Sequence, residues 1–257
     1  MFSRFFRRGK RAEEQEEDLA VPENANFSFL GADMHSHFVP GIDDGAKTIE
    51  DSLLLLRGME AMGYTTVVTT PHIMIDFYPN TNQTIRQGLD ILRTEAKKND
   101  INISINAAAE YYIDEYFRDL IKKEPLLTVH KNEVLVEFSM MFEPPMLNNT
   151  IFELQTAGYR PILAHPERYT SLHKNFDRYV ELKDRGCLFQ LNLLALTGYY
   201  GAGVGNIAEK LLEKGMYDYA GTDMHHERHL AAVSDILKNS IYNKVYNYPF
   251  LNSKLCL

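Results

Sequence analysis

The chain has 257 residues, 45% of them hydrophobic and 24% charged, a balance that suits one large folded domain with its own core and excludes disordered and fibrous classes. A formal net charge of −8 argues against nucleic acid as the main partner, because binding a phosphate backbone needs a concentrated basic surface. No apolar run approaches the roughly 18 to 20 residues that cross a bilayer, the N-terminus lacks the apolar core of a signal peptide, and the two cysteines, Cys187 and Cys256, suit a reduced compartment, so the cytoplasm is the expected location.

Residues 1–27 differ in character from the rest. Arg4, Arg7, Arg8, Lys10 and Arg11 alternate with Phe2, Phe5 and Phe6, and an acidic run from Glu13 to Asp18 follows. Adjacent blocks of opposite sign read as a flexible, solvated tail. The rival reading is a weak contact with an anionic membrane surface through the phenylalanines and arginines. The folded domain is expected over residues 28–257.

Strand and helix signals then alternate. A first strand covers Leu30 to Met34. Thr48 opens a helix, with Asp51 three residues on as a capping-box variant, Leu53, Leu54, Leu56 and Met59 as the apolar face, and Gly63 as the stop. The β-branched run Thr65 to Thr70 is a second strand, followed by a helix from Asn82 to Lys98 and a strand from Ile101 to Ala108. A helix from Asp114 to Lys123, a strand from Val134 to Glu137, a helix near Thr150 and a strand from Pro161 to Ala164 come next. A helix ending at Gly186, the strand Leu188 to Leu193, a helix from Asn206 to Lys214, the strand Tyr217 to Ala220 and a helix from Leu230 to Asn239 complete the series.

Seven strand–helix units in succession demand parallel strands, because parallel neighbours need crossovers and the crossovers here are helices. The expected fold is an α/β class βα barrel, with an open doubly wound sheet as the alternative. Neither a Gly-x-Gly-x-x-Gly strand end nor a Gly-x-x-x-x-Gly-Lys-Ser/Thr loop occurs, so bound nucleotide is not indicated.

Metal-competent side chains fall at the ends of these strands. The first strand runs into His35-Ser36-His37, with Asp43-Asp44-Gly45 in the loop behind it. The second ends at His72, the third at Glu110, the fourth at Glu137, the fifth at His165, and the seventh at Asp223-Met224-His225. In a βα barrel these ends converge on the face that carries active sites. Alternation puts His35 and His37 on one side of their strand, and likewise Asp223 and His225, with Ser36 turned away. Four carboxylates gathered without counter-ions would repel and take up protons, whereas divalent cations stabilise their ionised form. Nine donors exceed the needs of one ion and imply two or three. Imidazole and carboxylate without thiolate suit manganese, iron or zinc.

These residues carry a family resemblance. His35-x-His37, Pro-Gly-Ile-Asp-Asp-Gly from Pro40 to Gly45, Thr-Pro-His at His72, Glu137-Phe138-Ser139, Ala-His-Pro-Glu-Arg from Ala164 to Arg168 and Thr-Asp-Met-His at Asp223 resemble the PHP (polymerase and histidinol phosphatase) superfamily. Within it, the chain is similar to the bacterial capsule- and exopolysaccharide-associated tyrosine phosphatases, a branch supported by Asp44 where many other members carry histidine. The resemblance implies a distorted seven-stranded (βα)7 TIM-like barrel with a trinuclear, usually manganese, site. By motif position, His35, His37, Glu110 and Asp223 would hold one ion, Asp44, His72 and His225 a second, and Glu110, Glu137 and His165 a third. It further implies metal-hydroxide attack on the phosphorus of a phosphotyrosine protein, a membrane-bound tyrosine autokinase of polysaccharide synthesis. The enzyme would then be cytoplasmic and peripheral to the inner face of the membrane.

Arg168 and Arg228, each three residues beyond a ligand histidine, are the expected phosphate clamps, since guanidinium binds two phosphate oxygens at once. Phe77, Tyr78, Tyr111, Tyr112, Tyr199 and Tyr200 are candidates for an aromatic rim around a tyrosyl ring. A thiol-based mechanism is excluded, because no arginine follows Cys187 at the spacing a thiolate phosphate loop needs and Cys256 leaves no room for one. A nucleophile-elbow serine is absent too. The alternatives are a small-molecule phosphatase such as a histidinol-phosphate phosphatase, and a non-catalytic metal-bearing regulator of the polysaccharide machinery.

Overall fold

The computed structural model describes residues 20–256. The basic and acidic tracts of the N-terminal segment, and with them the expected flexibility and membrane contact, lie outside these residues. Val21 and Ala25 lean on the core, and Phe27 is fully buried with its ring stacked on Tyr64 at 5.5 Å, so packing begins inside the segment set apart as a tail.

Among the described residues, strands β1 (Ala32–Asp33), β2 (Thr66–Thr69), β3 (His72–Ile73), β4 (Ser104–Ala107), β5 (Glu110–Tyr112), β6 (Glu133–Glu137), β7 (Arg160–Ala164), β8 (Leu188–Asn192) and β9 (Tyr219–Gly221) are all paired in parallel. They fall in two sheets, β1-β2-β4 and β3-β5-β6-β7-β8-β9. The expected second and third strands are each broken in two. Thr70-Pro71 interrupts one, since proline has no N–H to give a ladder, and Ala108-Ala109 interrupts the other. Seven strand paths result, as expected, but the bend transfers two of them from one sheet to the next and brings His72 into register with Glu110.

Helices α1 (Ile49–Ala61), α2 (Asn82–Lys98), α3 (Glu115–Lys123), α4 (Leu147–Thr156), α5 (Phe176–Asp184), α6 (Ala202–Glu213), α7 (Glu227–Ile236) and α8 (Ile241–Tyr246) connect or follow the strands. The capping box at Thr48 and Asp51 forms as expected. Helices α6 and α7 start ahead of the expected Asn206 and Leu230. Gly203 and Gly205 weaken the first signal, and the second start is capped by a residue outside the usual set, the ring of His226 accepting from the N–H of His229. The short α8 was not expected.

Alternation along the strands sorts the core. Val134, Val136, Leu163, Phe189 and Leu191 point out against the helices, while Leu135, Ile162, Ala164, Leu188 and Tyr219 form a separate inner cluster with Met34, Val68 and Leu255. That inner face continues at Glu137 on β6 and at Gln190 and Asn192 on β8, so the same two-residue period that fills the interior delivers polar groups at its mouth.

The edges β9 and β1 meet through side chains as much as through backbone. Ser36 and Met224 form a parallel bridge, His37 donates to the Met224 carbonyl (2.9 Å) and Asp223 to that of His35 (2.8 Å). Buried Asp33 accepts from the N–H and hydroxyl of Thr222 (2.8 and 3.0 Å). At the other end Asn252 donates to the carbonyls of Ala32 and Ala220 (2.8 and 2.7 Å) and accepts from the Ala220 N–H (2.9 Å). Truncation of this buried amide strands three backbone groups. Asn252→Ala is therefore expected to lower unfolding free energy by about 2 to 4 kcal/mol in chemical denaturation, with the unfolding slope unchanged.

Candidate metal centre

The strand ends and the loop behind β1 bring all nine expected donors together. His35 Nε2 lies 3.1 Å from Glu110 Oε2 and 3.3 Å from Asp223 Oδ1, and His37 Nε2 lies 3.5 Å from each of those oxygens. His72 Nδ1 faces Glu110 (3.3 Å) and Glu137 (3.2 Å), while its Nε2 faces Asp44 (3.4 Å). His165 Nε2 is 3.1 Å from Glu110 Oε1 and 3.9 Å from Glu137 Oε2. His225 Nε2 is 3.4 Å from Asp44 Oδ1. The donors form four overlapping groups: His37 with Asp44, His72 and His225; His35 with His165 and Asp223; His35 with His37 and Glu110; and His72 with Glu110 and Glu137.

The surroundings fix which nitrogen of the key imidazoles faces inward. Gln190 Nε2 donates to the Leu191 carbonyl (2.6 Å) and Gln190 Oε1 accepts from the His165 N–H (3.2 Å), so backbone partners decide which end of the amide is oxygen. The same oxygen lies 2.9 Å from His35 Nδ1, which must therefore carry the proton and leave the Nε2 lone pair inward. Asp43 does likewise for His37, with Oδ2 at 2.8 Å from Nδ1 and Oδ1 accepting from Gly45. The loop sits so close that a Cβ at residue 45 would lie 2.2 Å from the His37 carbonyl oxygen, which only glycine avoids. Two imidazole lone pairs thus face each other at 3.3 Å, with carboxylates beside them.

Only positive charge satisfies such a set. Burial disfavours the imidazolium forms of His35 and His37, yet Glu110 and Asp223 beside the one and Asp43 beside the other outweigh it and push both upward. Burial likewise opposes ionisation of Asp223, and the cationic partners overcome it and hold the carboxyl well below its usual range. Protons or divalent cations can supply the charge. The orphaned, buried His72 Nδ1, which has two carboxylates in reach and no hydrogen bond, matches a metal ligand better than a proton donor. The donor set therefore fits metal.

Asp223 divides its oxygens. Oδ1 faces the histidines, and Oδ2 accepts from Arg168 (2.7 Å) and Asn192 (2.9 Å). Asp223 and His165, two of the strand-end donors, both take left-handed backbone (φ 50° and 33°), an uncommon conformation for residues with a side chain. The Arg168 guanidinium lies 4.4 Å over the Tyr200 ring and lines the same cavity of about 380 Å³ as Asp44, His72, Glu110, Glu137, His165, Asp223 and His225. Arg228 is exposed and lines a neighbouring cavity of about 430 Å³ that shares Asp44 and His225 with the first.

Of the expected aromatic rim, Tyr78 stacks on His72 at 5.3 Å, Tyr200 underlies Arg168, and Phe77 and Tyr199 are exposed. Tyr111 does not belong to it. Its ring is buried against Phe117 and its hydroxyl accepts from the Leu127 N–H, because the next inward position after Glu110 is Tyr112. Sequence reasoning also missed Gln190 and Asn192. Their signal was a polar pair with two-residue spacing at the end of the one strand that supplies no ligand.

The profile of the family described as Capsular polysaccharide synthesis, CpsB/CapC matches residues 31–245. The tyrosine-protein phosphatase CpsB of Streptococcus pneumoniae is 30% identical over 75% of this chain and 82% of its own length. A solved structure described under "YwqE from Bacillus subtilis and CpsB from Streptococcus pneumoniae, unique metal-dependent tyrosine phosphatases" is similar with a TM-score of 0.73 and 25% identity, over 87% of this chain and 94% of that one. An amidohydrolase from Mycoplasma synoviae shares the fold alone (TM-score 0.55, 10% identity, 88% and 87% covered).

Gln190→Leu keeps the side-chain volume and removes the oxygen that orients His35 and His165. Metal affinity measured by competition with a chromophoric chelator should fall about 10- to 100-fold, with the fold retained by circular dichroism.

Proposed function

Since the chain belongs to the CpsB/CapC family of capsular polysaccharide synthesis, we propose that it is a metal-dependent phosphatase that removes phosphate from tyrosine on a protein. The observation that carries this reading is the convergence of nine imidazole and carboxylate donors on one cavity that also holds a guanidinium. Divalent ions in such a centre supply an activated water and draw charge from phosphoryl oxygens. We assign three of them, manganese by preference with iron or zinc able to serve, held by His35, His37, Asp44, His72, Glu110, Glu137, His165, Asp223 and His225.

The protein's own groups account for binding. Arg168 is anchored by Asp223 and backed by Tyr200, which presents its remaining N–H donors to a phosphate in the cavity. Arg228 is assigned to the same anion from the adjoining cavity. Tyr78, stacked on His72, offers an aromatic wall to a tyrosyl ring. The leaving phenol has a pKa of about 10, below that of an aliphatic alcohol, so its departure needs less proton donation. The phosphoprotein is assigned to a membrane-bound tyrosine autokinase and the enzyme to the cytoplasmic side of that membrane. Among the described residues no helix is long and apolar enough to cross a membrane.

Phosphate release from phosphotyrosine peptides should be abolished by chelator, restored by divalent metal, and reduced by about a thousandfold or more in His35→Ala. Arg168→Ala should raise KM by about tenfold or more, with Arg168→Lys intermediate. Iodoacetamide should leave the rate unchanged, because burial pushes the Cys187 thiol up to about 12. Activity that survives chelation, or is lost on alkylation, would exclude the reading.

A further inference from the structure

Three loops at the mouth of the metal cavity carry exposed apolar side chains, and each is adjacent in sequence to a residue that lines or flanks the centre. Phe77 (69% exposed) and Ile75 (40%) sit beside Tyr78, whose ring covers His72. Met141 (79%) and Phe142 (63%) follow Met140, which lines the cavity. Tyr199 packs edge-on against Tyr200 and His229, both in the lining.

These tips are held outward. Met74 accepts from the N–H groups of Phe77 and Tyr78 and pairs with Tyr78, closing a tight turn that projects Phe77. The Met140 carbonyl accepts from both the N–H and the hydroxyl of Thr170 (2.8 and 2.9 Å), and Glu143 is fixed by Arg178 (2.6 Å). These bonds fix the backbone of both loops beside the exposed side chains. Exposed apolar side chains grouped beside a cavity mark a contact surface rather than stray surface residues. A protein substrate whose phosphorylated side chain enters the cavity must lay its neighbouring residues across this rim.

We propose that the rim formed by Phe77, Met141, Phe142 and Tyr199 is a subsite for apolar side chains flanking the phosphorylated residue of the protein substrate, and so selects among phosphoproteins. The inference rests on the phosphatase reading above and names the substrate class of that same site. Exposed Asp76 in the Phe77 turn places negative charge beside the rim, which opposes an anionic lipid surface, while Glu143 is paired with Arg178.

The test compares kcat/KM of the metal-loaded, full-length protein on free phosphotyrosine, on a phosphotyrosine peptide with leucine and phenylalanine at the flanking positions, and on the same peptide with serine and glycine there. The apolar peptide should be preferred by about fivefold or more, and the combined Phe77→Ser, Phe142→Ser variant should lose that ratio. Free phosphotyrosine cleaved alongside both peptides at equal efficiency overturns the rim and leaves the phosphatase reading standing. Failure to cleave any of the three overturns the reading beneath it. A sedimentation assay with phosphatidylglycerol vesicles completes the test: binding that the double variant abolishes would assign the rim to a membrane and overturn the proposal, whereas no vesicle binding alongside the peptide preference supports it.

Discussion

The structure depends on keeping Glu110 ionised although it is buried. This carboxylate is fully buried on β5, and four imidazoles stand within 3.5 Å of it: those of His35, His37, His72 and His165. Burial alone would drive it to the neutral acid, but the surrounding cationic partners hold it well below the usual carboxylate range. A charge stabilised only by a cage has to have that cage built around it, and the cage is drawn from β3 and from the residues that follow β1 and β7. The break at Pro71 brings His72 into register with Glu110 and so sets one of these imidazoles beside the carboxylate.

The strand without a ligand does the orienting. On β8, Gln190 and Asn192 share the inward face. One fixes His35 and the backbone of His165, and the other holds Asp223. Neighbouring elements make room for this, since a Cβ at Gly221 would lie 2.8 Å from that of His35 and 2.9 Å from the Gln190 amide nitrogen. Amide side chains suit the task because they donate and accept without adding charge to a centre already crowded with it.

Closure between β9 and β1 places the two His/Asp-x-His segments against each other. Asp33 and Thr222 join the segments just before their donors, and Asn252 joins the strands at the far end, so both pairs of donors are positioned by the same seam. The left-handed backbone at His165 and Asp223 concentrates strain at two of the nine donors, and tight packing around them sustains it. Arg168 and Met140 line the cavity, which adjoins the space lined by Arg228 through Asp44, His225 and His226.

The sequence by itself determined the succession of strands and helices, the capping box at Thr48 and the nine donors, because each rests on a local period or on residue types placed at strand ends. It did not reveal the splitting of two strands, the early starts of α6 and α7, or the helix α8, where glycine, proline and an unusual cap weaken local signals. Tyr111 entered the core and Arg228 the adjoining cavity, since sequence adjacency to a ligand leaves the direction of a side chain open. Only the tertiary structure chose Gln190, Asn192 and Asp43 as the groups that turn the imidazoles inward. Their roles are hydrogen bonds between residues far apart in the chain, and such a bond exists only once the strands lie side by side.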